Sequence, residues 1–288
     1  MNTLKSSELI LNPDGSIYHL NLLPEDIADT IIFVGDPDRV PLVSKHFDRI
    51  ELKKHKREFC THTGFIGKKR ITVLSTGIGE DNIDIVLTEL DALANIDFKT
   101  RTVKKDFKQL KIIRLGTSGV LRESMPLDSL LISSYAMSFS GLLYYYDWQP
   151  NENEKALQIM CQEQFKALPT ASMLYVASGG QNVISQFESL ATKGITLTCN
   201  GFYGPQRRCV RAPLIDVDIF GIASDITFEN CHITNLEMET SAIYGLSRLL
   251  GHEACSMSAI VANRALQTFS KNPEQTIEHM IELVFERI

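Results

Sequence analysis

Ile112-Ile113-Arg114-Leu115-Gly116-Thr117-Ser118-Gly119 is the stretch from which the fold is read. Three β-favouring residues flank a single arginine, and two glycines and two hydroxyl residues follow at once. This pattern predicts a buried strand ending in a tight turn. The glycines let backbone come close to a ligand, and Thr117 and Ser118 add hydrogen-bond donors. A lone buried charge is strongly unfavourable, so Arg114 needs a carboxylate or a phosphate. These eight residues leave a structural Arg–acid pair and a bound anion equally open.

The same grammar recurs on either side. Thr30-Ile31-Ile32-Phe33-Val34 predicts a strand that runs into Gly35-Asp36-Pro37-Asp38-Arg39-Val40-Pro41. There Asp38 is placed to cap a helix with Arg39 in its first turn. Strand, glycine and helix N-terminus together make an anion site. Residues 71–75 predict another strand. Thr76-Gly77-Ile78-Gly79 then opens a helix with Ile83, Val86, Leu87, Leu90, Leu93 and Ala94 on one face. Further strands are expected at 130–134, 173–177 and 257–262. Helices are expected at about 154–168 and from Asn235 to Leu250, stopped by Gly251. A last one follows Asn272-Pro273, with Ile277, Met280, Ile281, Val284, Phe285 and Ile288 on one face.

Composition narrows the function classes. The chain has 288 residues, 44% hydrophobic and 22% charged, which are globular values with room for a large core. A net charge of −6 argues against a nucleic-acid binder. Cys60, Cys161, Cys199, Cys209, Cys231 and Cys255 form no CxxC pair, and their scatter fits reduced thiols rather than a disulfide frame or zinc site. Cys231-His232 has no second pair near it in sequence, so no metal is expected. The first fifteen residues lack the apolar core of a signal peptide, and no run approaches the roughly 20 apolar residues of a membrane span. A cytoplasmic location with no membrane partner is therefore expected. Lys53 to Arg57 reads as a solvated basic face. Residues 95–111 read as a charged surface excursion, and the Tyr-rich stretch 142–148 as local packing.

Three stretches carry candidate chemistry. Asn200-Gly201-Phe202-Tyr203-Gly204-Pro205-Gln206-Arg207-Arg208 is a loop suited to a planar, hydrogen-bonding ligand. Phe202 can stack on a ring, Gln206 offers a donor and an acceptor together, and Arg208 offers only donors. Uracil, with one N–H between two carbonyls, matches that set. Glu237 and Glu239 read either as dipole partners in a helix's first turn or, with Met238 between them, as a grip on a sugar. Tyr18-His19-Leu20 alternates, so His19 faces away from its neighbours.

Taken together, YHLNL (18–22), GDPDRV (35–40), KREF (56–59), STGIG (75–79) with TEL (88–90), IRLGTSG (113–119), FYGPQRR (202–208), NLEMET (235–240) and ANR (262–264) resemble the nucleoside phosphorylase family, most closely its uridine phosphorylase branch. The likeness runs from about Tyr18 to Ile288. It implies one α/β domain over 1–288, with a central mixed sheet tending to a barrel, flanking helices and a surface insertion at about 95–111. It also implies a homodimer or homohexamer whose active sites are shared.

Carried over position by position, the resemblance gives Gly35, Arg39, Arg114 and Thr117 to phosphate, with Arg57 reaching in from a neighbouring subunit. It gives Met238, Glu239 and Thr117 to ribose, closed by the neighbour's His19. Phe202, Gln206, Arg208, Glu237 and Arg264 go to the base, and Arg208, Gln206 and Arg114 carry the catalysis. On this account the partner of Arg114 is the substrate phosphate. The implied reaction is reversible phosphorolysis of uridine, with deoxyuridine or thymidine as further substrates. Inorganic phosphate is a co-substrate, and apart from a monovalent cation no cofactor is implied. Purine-acting relatives carry an aspartate after the last core strand, where this chain has Ala262 and then Asn263-Arg264.

Departures from the family pattern are Glu80-Asp81-Asn82 and Asp84, where small residues are usual, and Gly204-Pro205, which uridine enzymes reverse. A monovalent cation is implied at Glu58 and Ile78, with Asn82 replacing the usual serine. The competing readings are another nucleoside phosphorylase, a nucleosidase of the same fold, and a non-catalytic nucleoside-binding protein.

Overall fold

A computed structural model describes residues 3–288. The first half of the chain holds β1 (Thr30–Val34), α1 (Arg39–Ser44), β2 (Arg49–Lys56), β3 (Phe59–Ile66), β4 (Lys69–Ser75), α2 (Glu80–Asn95), β5 (Ile96–Asp97), β6 (Thr102–Val103), β7 (Lys111–Val120) and β8 (Leu130–Ser138). The second holds α3 (Glu152–Gln164), β9 (Tyr175–Ser178), α4 (Gln181–Phe187), β10 (Thr192–Thr198), α5 (Ile219–Asp225), β11 (Thr227–Phe228), β12 (Cys231–Glu237), α6 (Thr240–Leu249), β13 (Glu253–Asn263), β14 (Thr268–Phe269) and α7 (Pro273–Phe285).

β7 is the hinge of the sheet. It runs parallel to β13 over its whole length and parallel to β1 from Lys111 to Arg114. Its last two residues then pair antiparallel with β12, Gly119 with Leu236 and Val120 with Asn235. This pairing closes the ring β7–β12–β10–β8–β13, and β1, β4, β3 and β2 continue from the other half of β7 as an open wing. The expected mixed sheet tending to a barrel is what forms. β1 has no polar stripe because both its faces are covered: Ile31 and Phe33 pack with α2 and α6, while Ile32 and Val34 pack with α1 and α7. The anticipated apolar face of α2 is buried throughout. No helix among the described residues is long and apolar enough to cross a membrane.

Several local expectations change. Residues 235–237 are strand, not the start of a helix, and α6 begins only at Thr240. The long-range pairing of β12 with β10 and β7 overrides the acidic helix-start signal. Lys53 to Lys56 of the basic run lie on β2, an edge strand whose alternate residues face solvent, a common defence against edge pairing, and Arg57 sits in the turn that follows. Residues 171–173 form a 3₁₀ turn, so the strand begins at Tyr175. Tyr18 to Leu20 is a turn rather than an extended run. Asp38 precedes α1 but makes no capping bond, and α1 has only six residues. Its dipole is correspondingly small, which weakens the helix-terminus account of an anion site. Residues 95–111 form the small β5–β6 hairpin and an irregular return, tied to the N-terminal segment by Arg101, which donates to the carbonyls of Leu4, Lys5 and Leu9.

Candidate active site

The ends of β1, β4, β7, β12 and β13 and the loop after β10 surround a cavity of about 790 Å³. That volume lies within the usual small-ligand range of roughly 300–1,000 Å³. Gly35, Arg39, Arg114, Thr117, Phe202, Gln206, Arg208, Glu237, Met238 and Glu239 all line it. Residues from four separate stretches of the chain therefore converge. Arg264 sits just behind, with Nη2 donating to the Gln206 carbonyl (3.2 Å) and its guanidinium over the Phe220 ring.

The partner of Arg114 is not left to the substrate. Its Nη2 lies 2.6 Å from Glu239 Oε2 and 3.0 Å from Glu237 Oε2, deep inside the protein. Both carboxylates have further donors. Glu239 Oε1 accepts from the Gly79 N–H (2.8 Å), and Glu237 Oε1 accepts from Thr198 Oγ1 (2.8 Å). Glu237 also accepts from the backbone N–H groups of Glu239 and Thr240. The structural pair and the open cavity thus coexist, because Arg114 faces carboxylates on one side and the cavity on the other. Burial alone would lower the Arg114 pKa, but Glu237 and Glu239 more than reverse this and keep it charged. Burial pushes Glu239 upward, Arg114 pulls it back, and the like charge of Glu237 adds to the rise.

The glycines beside Arg114 also work differently from expectation. A Cβ on Gly116 would lie 1.9 Å from Arg114 Nη1, so Gly116 makes room for the guanidinium rather than for a ligand alone. The Ser118 hydroxyl donates to the Leu236 carbonyl (2.7 Å) and receives the Asn235 amide, so it is already committed to the β7–β12 seam. Arg39 is in the opposite situation. Among the described residues no carboxylate is in ion-pair contact with it, and its Nη1 makes only a long bond, 3.4 Å, to the Leu115 carbonyl. Burial, and then the charge of Arg114, lower its pKa, so it sits where an added anion is welcome.

At the other end, Arg208 stacks 3.8 Å over the Phe202 ring, and its Nη1 donates to the Phe202 carbonyl and to Gln206 Oε1. Gln206 is buried while Phe202 stays exposed. Burial and the neighbouring Arg264 lower the Arg208 pKa. Leu236, Val261, Ala262 and Phe269 complete an uncharged wall. Phe269 was not singled out from the sequence; it reaches the cavity because β14 pairs back onto the end of β13. That single strand pairing leaves no periodic signal.

His19 and Arg57 do not line this cavity. They meet elsewhere, around Tyr18: the His19 ring is 4.7 Å from it and the Arg57 guanidinium 5.9 Å. The His19 turn is held by Glu89, which accepts from the His19 and Leu20 N–H groups and from His19 Nδ1 (2.6 Å). Glu58, Ile78 and Asn82 lie along one edge of the cavity. The Ile78 carbonyl, which the resemblance offered to a cation, already accepts the Asn82 amide at 3.4 Å. The trio offers a carboxylate, a carbonyl and an amide, and no step below involves a cation.

Comparison with known proteins agrees with this geometry. A family model described as the phosphorylase superfamily matches residues 29–286. A uridine phosphorylase of Thermococcus kodakarensis is 26% identical over 94% of this chain and 86% of its own. A DeoD-type purine nucleoside phosphorylase of Buchnera aphidicola is 24% identical over 94% of this chain and 98% of its own. A Trypanosoma brucei nucleoside phosphorylase, whose crystal structure is described as showing uridine phosphorylase activity, superposes with a TM-score of 0.88 at 28% identity, covering 97% of this chain and 98% of that one. The chain belongs to the phosphorylase superfamily, among its nucleoside phosphorylases.

Proposed function

We propose that the protein is a uridine phosphorylase that converts uridine and inorganic phosphate reversibly into uracil and ribose 1-phosphate. The observation that carries this reading is the base end of the cavity, where Gln206 and Arg208 are joined by a hydrogen bond beside an uncharged wall. Gln206 offers an amide donor and an acceptor oxygen, and Arg208 adds donors, which suits the two carbonyls and single N–H of uracil. A purine asks for an acid near its imidazole nitrogen. Glu237 and Glu239 are engaged with Arg114, and Ala262 stands where purine-acting relatives have an aspartate.

In this reading phosphate binds against Arg39, Thr117 and Gly35, with Arg114 behind, and attacks the anomeric carbon directly. No enzyme nucleophile is required. Positive charge grows on the sugar and negative charge on the base as the glycosidic bond breaks. The phosphate stabilises the first, and Arg208 with Gln206 stabilises the second, so their help is greatest in the transition state. Met238 and Glu239 hold the ribose. Arg57 and His19 act from a neighbouring copy in a homodimer or homohexamer. The setting that goes with this reaction is pyrimidine salvage in the cytoplasm, with deoxyuridine or thymidine as further substrates.

The test is uridine and inosine, each with and without phosphate, with free base and ribose 1-phosphate as readouts. Phosphate-dependent uracil release is the expected result. Uracil release without phosphate makes the protein a nucleosidase, preference for inosine makes it a purine enzyme, and binding without turnover makes it a nucleoside-binding protein. Arg208→Ala should lower kcat/KM for uridine by roughly 100-fold, since one well-placed donor to developing negative charge is worth about 3 kcal/mol.

A further inference from the structure

Glu80 has no part in the reaction as drawn, yet the protein surrounds it closely. It opens α2 and is only 4% exposed. Its carboxylate accepts from hydroxyls on three other elements: Ser138 Oγ of β8 (2.9 Å), Ser241 Oγ of α6 (2.9 Å) and Tyr175 of β9. Among the described residues it has no ion-pair partner. Acids in the first turn of a helix are ordinarily exposed dipole partners. Burial pushes the Glu80 pKa up, against the pull of these hydroxyls, so a carboxylate here is a poor choice for stability alone.

Its connections lead to the sugar end of the cavity by two routes. Gly79, immediately before it, has a φ of +95°, a conformation that favours glycine, and its N–H donates to Glu239 Oε1 (2.8 Å). On the other route, the Ser241 N–H donates to Thr198 Oγ1 (3.0 Å), which donates to Glu237 Oε1 (2.8 Å). Both carboxylates that grip Arg114 are therefore tied back to Glu80.

We infer that Glu80 is a positioning residue for the sugar of the nucleoside: it pins the first turn of α2 to α6, so that the Gly79 amide holds Glu239 in place beside Arg114. It touches neither substrate. The inference takes its readout from the phosphorolysis proposed above, and the two can fail separately.

Glu80→Ala, Glu80→Gln and Ser241→Ala are compared with the wild type in steady-state kinetics with each substrate varied in turn. Glu80→Ala should raise the nucleoside KM and lower kcat/KM by about 10- to 100-fold, the usual effect of removing an outer support, while the phosphate KM stays within about twofold. Glu80→Gln keeps the shape and one acceptor oxygen, and should recover to within about threefold of the wild type. A folded Glu80→Ala with the wild-type nucleoside KM, or with both KM values raised alike, overturns the inference. If Glu80→Ala does not fold, Ser241→Ala decides. It should raise the nucleoside KM severalfold, and an unchanged value overturns the inference. A wild type without phosphorolysis defeats the proposed function instead. Uridine binding by calorimetry then judges Glu80, with weakened binding in Glu80→Ala supporting it and unchanged binding sinking it.

Discussion

Arg39 and Arg114 face the same cavity but do different work, and their variants should separate it. Arg114 neutralises two carboxylates that are themselves buried. Arg114→Ala leaves Glu237 and Glu239 together without a counter-charge, and a broken buried pair costs about 3–5 kcal/mol. Its main expected effect is a large fall in thermal or urea stability, so lost activity in that variant says little about phosphate. Arg39 has no such partners. Arg39→Ala should keep stability to within about 1 kcal/mol and raise the phosphate KM about tenfold or more, the ~1.5–3 kcal/mol of a hydrogen bond to a charged group. Equal destabilisation of the two variants, or an unchanged phosphate KM in Arg39→Ala, would refute this division. The sequence alone made both arginines visible, Arg114 because a charge inside an apolar strand must be answered and Arg39 because it opens a helix directly after a strand and a glycine. It could not say what answers Arg114, since Glu239 lies 125 residues away and reaches it only once the barrel has closed.

That closure is a property of β7 and β12, and the two glycines at the end of β7 show how it constrains side chains. A Cβ on Gly116 would collide with the Arg114 guanidinium at 1.9 Å, whereas one on Gly119 would meet nothing nearer than Arg264 Cγ at 3.4 Å. Gly116→Ala should therefore displace Arg114 from Glu239, with an overpacking cost of about 1–3 kcal/mol and a kcat/KM lowered by roughly 100-fold or more, as for loss of a key electrostatic group. Gly119→Ala should cost less than about 1 kcal/mol. Thermal unfolding and uridine kinetics on the pair check this, and similar behaviour of the two variants would remove the steric account. Strand β1 and helices α2 and α7 could be read directly, because their apolar runs match their burial, whereas β7 was expected to end in a tight turn at its glycines and instead continues through them to Val120, held by its pairing with β13. β12 could not. Its acidic end mimics a helix start, and its strand character comes from β10 and β7 rather than from its own residues. The β2–β3 hairpin was hidden for a similar reason, since an edge strand studded with lysines looks like any solvated face.

A single chain assembles most of the proposed machinery but holds Arg57 and His19 apart from its own cavity, on a patch with Tyr18. Nothing in the local sequence distinguishes a residue kept for the home site from one lent to another copy; only the family resemblance drew these two into the site. Lending has a quantitative signature. In a twofold dimer with shared sites, a chain carrying Arg39→Ala spoils its own cavity, and a chain carrying Arg57→Ala spoils its partner's. Paired together, they leave one cavity with both arginines intact and place both defects in the other. Random assembly of equal amounts makes half of all dimers mixed, each with one working site of two. Co-expression of Arg39→Ala with Arg57→Ala should therefore restore about one quarter of wild-type activity at limiting phosphate, well above either variant alone. A mixture no more active than the average of its components would mean that each chain relies on its own residues, and Arg57 would then have no place in phosphate binding.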